Sequence, residues 1–141
     1  MELHHKIENL VLGAPWLLER KNQYAAFCSI EADFEFWIDA EQVFQEPHWN
    51  IGELAVQLAE WHRSGLQGDF HYQCMDAEEQ DLFTFRHEGA GFQFFSEWAS
   101  NNTFNALTRE ALIAFIIRYR NDVIHRIESD LKYTTRLYLG Q

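Results

Sequence analysis

Residues 69–98 decide the fold of this chain. They read DFHYQCM (69–75), DAEEQ (76–80), DLFTFRH (81–87), EGAG (88–91) and FQFFSEW (92–98). Three segments rich in aromatic residues alternate with two short polar segments, and aromatic side chains favour strands. The polar segments have five residues or fewer, which is a length typical of hairpin connections. The sequence therefore predicts a meander of three antiparallel strands.

Two other segments have the apolar spacing of amphipathic helices. In residues 50–64 the apolar positions form one stripe, with Asn50 as the expected N-cap, Glu53 at N3 in an arrangement close to a capping box, and Gly65 as the expected stop. The second helix is predicted to begin after its N-cap, Thr108, and to continue to about Leu131. The positions of its expected buried stripe are Leu112, Phe115, Ile116, Tyr119, Val123 and Ile127, and Ile113, Ile117 and Ile124 widen that stripe.

The N-terminal half adds strand signals. Residues 24–30 read as a strand, and residues 34–39 alternate so that Trp37 is expected on the face opposite Phe36. The other segments are interpreted as an acidic link (31–33), a connector (41–48), polar turns (100–107), and either a strand or a short helix (1–13). These patterns together predict a single domain, residues 1–141, of the α+β class. We expect an antiparallel sheet of five or more strands packed against two main helices.

The composition restricts the class of partner. The chain has 22 acidic and 11 basic residues, with 47% hydrophobic and 16% aromatic content. The apolar content excludes disorder, and the negative charge disfavours nucleic acid and anionic membranes while it attracts basic partners. Residues 1–105 hold 18 acidic and 5 basic residues, whereas residues 106–141 hold 4 acidic and 6 basic ones. We therefore expect the sheet portion to be the acidic portion.

The sequence also predicts a cytoplasmic location. It has no secretory leader pattern and no apolar run of the roughly 18 residues that a membrane helix needs. Cys28 and Cys74 each lie in an apolar run, as buried thiols of a reducing compartment do.

Two acidic segments supply the candidate partner-binding residues. One is the loop between the first two meander strands, with Asp76, Glu78, Glu79 and Asp81; the other is the strand segment with Glu31, Asp33, Glu35, Trp37 and Asp39. Gathering like charges costs stability unless a partner compensates, and a tryptophan among carboxylates is typical of an interface hot spot. The alternatives are a solvated hairpin tip for the loop and a covered Trp37. A calcium loop is disfavoured because DAEEQD lacks the glycine turn and the ligand spacing.

Patterns for catalysis and for cofactors do not occur. The histidines have no ligand spacing, Ser29 and Ser96 lie in no G-x-S-x-G sequence, and EGAGF lacks the features of a phosphate loop. We therefore predict a protein that is not an enzyme and that carries no metal or cofactor. Two alternatives stay open: an enzyme or ligand-binding domain that uses His71 or His87 with nearby carboxylates, and a homo-oligomeric scaffold, such as a homodimer, joined through the last helix.

The order of these segments resembles a known group of proteins. The segments that carry the resemblance are FEFWID (34–39), NIGELAVQLAEWH (50–62), DFHYQCMDAEEQDLFTF (69–85) and the long final helix. In layout and composition, over most of its length, the chain resembles the immunity proteins of bacterial polymorphic and contact-dependent toxin systems. It has no diagnostic motif, so no residue role is carried over. The resemblance implies a protein that neutralises a cognate toxin domain, commonly a basic nuclease, by stoichiometric binding.

Overall fold

A computed structural model describes residues 2–12, 27–73, 82–99 and 104–130. The elements in these ranges are β1 (Leu3–Leu12), β2 (Ile30–Ile38), β3 (Glu41–Asn50), α1 (Ile51–Arg63), β4 (Phe70–His71), β5 (Thr84–Glu88), β6 (Gly91–Phe95), β7 (Phe104–Leu107) and α2 (Arg109–Asp130). The predicted α+β class, with antiparallel strands and two main helices, is confirmed. The described strands form two sheets: an N-terminal sheet in the order β1-β2-β3 and a C-terminal sheet in the order β4-β5-β6-β7.

The predicted meander is confirmed as three consecutive strands, β4, β5 and β6, of the C-terminal sheet. Strand β5 pairs antiparallel with both β4 and β6, and β5 and β6 are joined by a turn in which Gly89 has a positive φ of 59°. A fourth strand, β7, lies where polar turns were expected. Its approach to β6 requires a glycine, because a Cβ at Gly91 would lie 2.6 Å from the carbonyl oxygen of Leu107.

The N-terminal sheet differs from the sequence prediction at three places. Strand β2 already begins at Ile30, so the predicted acidic link lies inside this strand. In the predicted strand 24–30, Phe27 and Cys28 are helical. The predicted connector 41–48 lies in β3, an edge strand, where the missing N–H of Pro47 is tolerated. The strict alternation that marks a strand is lost there because the adjacent residues Val43 and Phe44 are both buried.

Aromatic side chains from both sheets and from α2 form the core. The fully buried ring of Phe36 lies 5.1 Å from that of Phe83, 4.9 Å from that of Phe94 and 5.0 Å from that of Phe115. Each such pair contributes about 0.5–1.5 kcal/mol beyond the area it buries. The inner face of β2 is thereby fixed against the C-terminal sheet and α2.

Both helices occupy their predicted positions. The predicted stripe of α2 is buried throughout, and the Thr108 hydroxyl accepts the N–H of Ala111 at 3.1 Å, as an N-cap does. In α1 the capping box is wrong: the Asn50 side chain makes no cap hydrogen bond, and the Glu53 carboxylate accepts the Tyr72 hydroxyl at 2.6 Å. The reason is that Asn50 is also the last residue of β3 and is buried there.

Candidate functional site

The outer face of the N-terminal sheet carries most of the predicted strand residues. Along β2 the residues Ile30, Ala32, Phe34, Phe36 and Ile38 are buried, while Glu31, Asp33, Glu35 and Trp37 lie on the opposite face. The fifth predicted residue, Asp39, lies in the turn after β2 with a positive φ of 52°. Its Oδ1 accepts the N–H of Glu2 at 2.8 Å, so Asp39 closes the end of the β1–β2 pair.

Trp37 lies on the outer face, as predicted, and is held in a defined orientation. Its Nε1 donates to Oε1 of Glu35 at 3.0 Å, and Nε2 of Gln42 donates to the same oxygen at 2.8 Å. The residues paired with Trp37 across the sheet are His4 of β1 and Gln42 of β3. The indole is half-buried by these neighbours. Glu35 therefore positions the ring and at the same time contributes negative charge beside it.

A groove of about 290 Å³ crosses the same face of the sheet. Its lining includes four carboxylate side chains, one from β1, two from β2 and one from β3: Glu8, Asp33, Glu35 and Glu46. The strand register shifts beside the groove, between Glu8 and Val11 on β1 and between Ala32 and Phe34 on β2. Such bulges bend strands and redirect side chains. At the first shift Asn9 adopts a positive φ of 58°, and its Nδ2 donates to Oδ2 of Asp33 at 2.8 Å.

The electrostatics of this face are dominated by carboxylates. Burial raises the pKa of Glu46, which faces the groove. The pKa of Lys6 is also raised, first by its hydrogen bond with Glu8 and then by the charges of Glu8 and Glu35. His48 lies 3.7 Å from Glu31 through its Nδ1. In the described part of this face, Lys6 lies among five carboxylates, those of Glu8, Glu31, Asp33, Glu35 and Glu46. These five residues and Trp37 are called the acidic face below.

The second predicted acidic segment is the loop between the first two strands of the meander. Asp76, Glu78, Glu79 and Asp81 lie outside the described residues. Their proximity to the acidic face stays a prediction.

Of the two histidines considered for a catalytic pocket, His71 lines an open groove and His87 has structural contacts. A second, open groove of about 530 Å³ between α1 and β4 is lined in part by Glu60, Asp69 and His71. The carboxylate of Asp69 accepts the backbone N–H of His87 at 2.8 Å, and the His87 ring nitrogen Nε2 lies 3.0 Å from the carbonyl oxygen of Leu66. Among the residues that the structure describes, no group of three or more His, Cys, Asp or Glu side chains could hold a metal ion.

The over-wide apolar stripe of α2 is largely accounted for by packing. Ile113 and Ile124 are partly buried against the core, whereas Ile117 is 42% exposed. The described helices include none that is both long and apolar enough to cross a membrane.

One comparison with known proteins gives a family. A family model described as a domain of unknown function (DUF7878) matches residues 5–129. The chain belongs to this family. The matched range includes the acidic face and extends almost to the end of α2. Comparisons with the curated proteins and with the solved structures found no significant match.

Two residues of the acidic face, Glu8 and Glu46, and Gln42 beside Trp37 were not predicted from the sequence. Glu46 and Gln42 were overlooked because their strand was interpreted as a connector. The available signal was the strand propensity of the β-branched and aromatic pair Val43 and Phe44. For Glu8 the segment was left open between strand and helix, so the direction of its side chain was undetermined.

Proposed function

We propose that this chain is an acidic, cytoplasmic binding protein that neutralises a basic bacterial toxin domain by stoichiometric binding. The observation that supports this proposal is the acidic face: five carboxylates of the N-terminal sheet, four of which line one groove, together with a tryptophan that one of them, Glu35, positions. The opposite side of the sheet packs in the core, so the acidic face is free to serve recognition without loss of the fold.

The two kinds of group on this face have different roles in binding. Carboxylates of one sign accelerate the encounter with a positively charged partner and exclude acidic ones. Trp37 supplies the apolar contact area that lowers the dissociation rate. Because Glu35 holds the indole before binding, less side-chain freedom is lost in the complex.

The groove gives the contact a specific chemistry. A lysine or arginine side chain of the partner, placed among Glu8, Asp33, Glu35 and Glu46, provides the charge that these carboxylates lack. Glu46 benefits most, because burial disfavours its ionised form in the absence of a cation. The partner is therefore a protein with an exposed basic patch.

The test is binding to the protein encoded beside this gene. Asp33→Lys/Glu46→Lys should lower the association rate constant about 10–100-fold at low salt and weaken its salt dependence. The matched control is Glu60→Lys/Glu88→Lys, which makes the same change of charge at exposed residues outside the acidic face. Equal rates for the two variants would contradict the assignment of the face, and absence of any complex with the parent chain would contradict the proposed function.

The same experiment extends to the loop. A chain with Asp76, Glu78, Glu79 and Asp81 all changed to lysine should also associate slowly, with little salt dependence. If only this variant is impaired, the loop is the docking surface and the acidic face is not.

A further inference from the structure

A buried histidine joins β1 to α2. The side chain of His5 is 10% exposed and lies edge-on against two rings of α2, those of Phe115 at 6.0 Å and Tyr119 at 5.3 Å. Its Nε2 lies 2.8 Å from Oδ2 of Asp122. The ring therefore occupies an aromatic slot and has a carboxylate at one nitrogen.

Among the residues that the structure describes, the charged groups around His5 lie on α2. Asp122 faces its Nε2, and the other carboxylate oxygen of Asp122 lies 3.6 Å from Nε of Arg126. Arg118 lies nearby, and its Nη2 donates to the carbonyl oxygen of Leu3 at 2.6 Å, which is a second attachment of β1 to the same helix. On β2 the residue paired with His5 is Phe36, which carries no charge.

This environment favours the neutral ring. Burial lowers the pKa of His5 below its ordinary value of 6.5 and outweighs Asp122, which raises it; Arg118 and Arg126 lower it further. The neutral ring donates Nε2–H to Asp122. Protonation would add a second N–H, at Nδ1, and a positive charge inside a slot walled by Phe115 and Tyr119.

We propose that the His5 ring, buried against Phe115 and Tyr119 with Asp122 at its Nε2, is a pH-sensitive latch: the neutral ring holds β1 on α2, and protonation of the ring favours release of this end of β1. The latch is a property of the fold and does not depend on the proposed function. It bears on that function because β1 also carries Lys6 and Glu8 of the outer face.

The direction of the pH effect follows from proton linkage. The opened strand exposes His5 to water, so the open state binds the proton more tightly than the closed state does. The opening constant of β1 therefore rises as the pH falls through 6.5, by at most about tenfold per pH unit because a single proton is involved.

Hydrogen exchange of the β1 amides, corrected for intrinsic rates, measures this opening between about pH 7.5 and pH 5.5. In the parent chain and in His4→Gln, an exposed neighbour, the opening constant should rise several-fold; in His5→Gln it should be nearly constant. The pKa of Glu46 is also shifted, but Glu46 is present in all three chains. Its contribution to the pH dependence of opening is therefore the same in each chain. An equal rise in His5→Gln, or no rise in the parent, would overturn the latch.

A second variant serves if His5→Gln does not fold. Asp122→Asn removes the one charge that favours protonated His5, so the pKa of His5 in the closed state should fall further, and the opening constant of β1 should rise more on acidification than in the parent. NMR titration of the His5 ring gives the midpoint directly. The midpoint should lie below 6.5 in the parent and lower again in Asp122→Asn, and a parent midpoint at or above 6.5 would overturn the proposal.

Discussion

The two faces of β2 show how one strand separates stability from recognition. Phe34 and Phe36 on its inner face are fully buried among the rings of both sheets and α2, while Asp33 and Glu35 on its outer face border the groove. Successive side chains of a strand point in opposite directions, so these residues alternate along the chain without sharing an environment. Substitutions on the inner face should therefore change the free energy of unfolding, and substitutions on the outer face should change binding.

The largest effect is expected at the centre of the inner face. Phe36→Ala removes a ring that contacts Phe83, Phe94 and Phe115, and should lower the free energy of unfolding by about 3–5 kcal/mol, because a cavity remains. Urea denaturation measures the change. A loss below about 1 kcal/mol would mean that the aromatic core is not packed as described.

The buried carboxyl group of Glu53 should contribute to stability, unlike the carboxylates of the acidic face. Tyr72→Phe removes the hydroxyl that donates to buried Glu53, and should cost about 1–3 kcal/mol in denaturant unfolding. The double variant Tyr72→Phe/Glu53→Leu should recover part of this loss, because the buried polar carboxyl group is removed as well. If the double variant is less stable than Tyr72→Phe alone, the loss of the Tyr72–Glu53 hydrogen bond is not the cause of the destabilisation.

On the outer face, a substitution should change binding while it leaves stability nearly unchanged. Glu35→Gln keeps an oxygen that can accept from Trp37 and Gln42, so the free energy of unfolding should change by no more than about 0.5 kcal/mol. Association with a basic partner should slow, because the charge is lost. A large loss of stability with unchanged association would reverse the roles assigned to the two faces.

The smallest effect is expected at Glu46. Its pKa is raised in the folded chain, so ionisation disfavours folding above that pKa and has no such effect below the unfolded value of 4.5. Glu46→Gln should therefore stabilise the chain near neutral pH by less than about 0.5 kcal/mol, since most of the side chain is solvated. The advantage should vanish at acidic pH in paired urea titrations. An advantage that is equal at both pH values would exclude ionisation as its cause.

Local patterns predicted much of the fold. The apolar stripe of α2 agrees with its buried residues position by position, and alternation in β2 placed Trp37 on the face opposite Phe36. Both patterns result from the regular geometry of one element packed on one side. Strand β3 was missed because consecutive buried residues, Val43 and Phe44, interrupt its alternation. Such irregularities depend on a neighbouring strand, whose position a local pattern does not contain.

The sequence by itself determined the α+β class, the two helices, the meander and the excess of negative charge, since each follows from composition or from a repeat within one segment. Only the tertiary structure decided that the strands divide into two sheets, and that Glu8, Asp33 and Glu46 meet at one groove. It also decided that His5 contacts Asp122, 117 positions along the chain. The reason is physical: these contacts depend on strand order, register and packing, and they join residues that are far apart in the sequence.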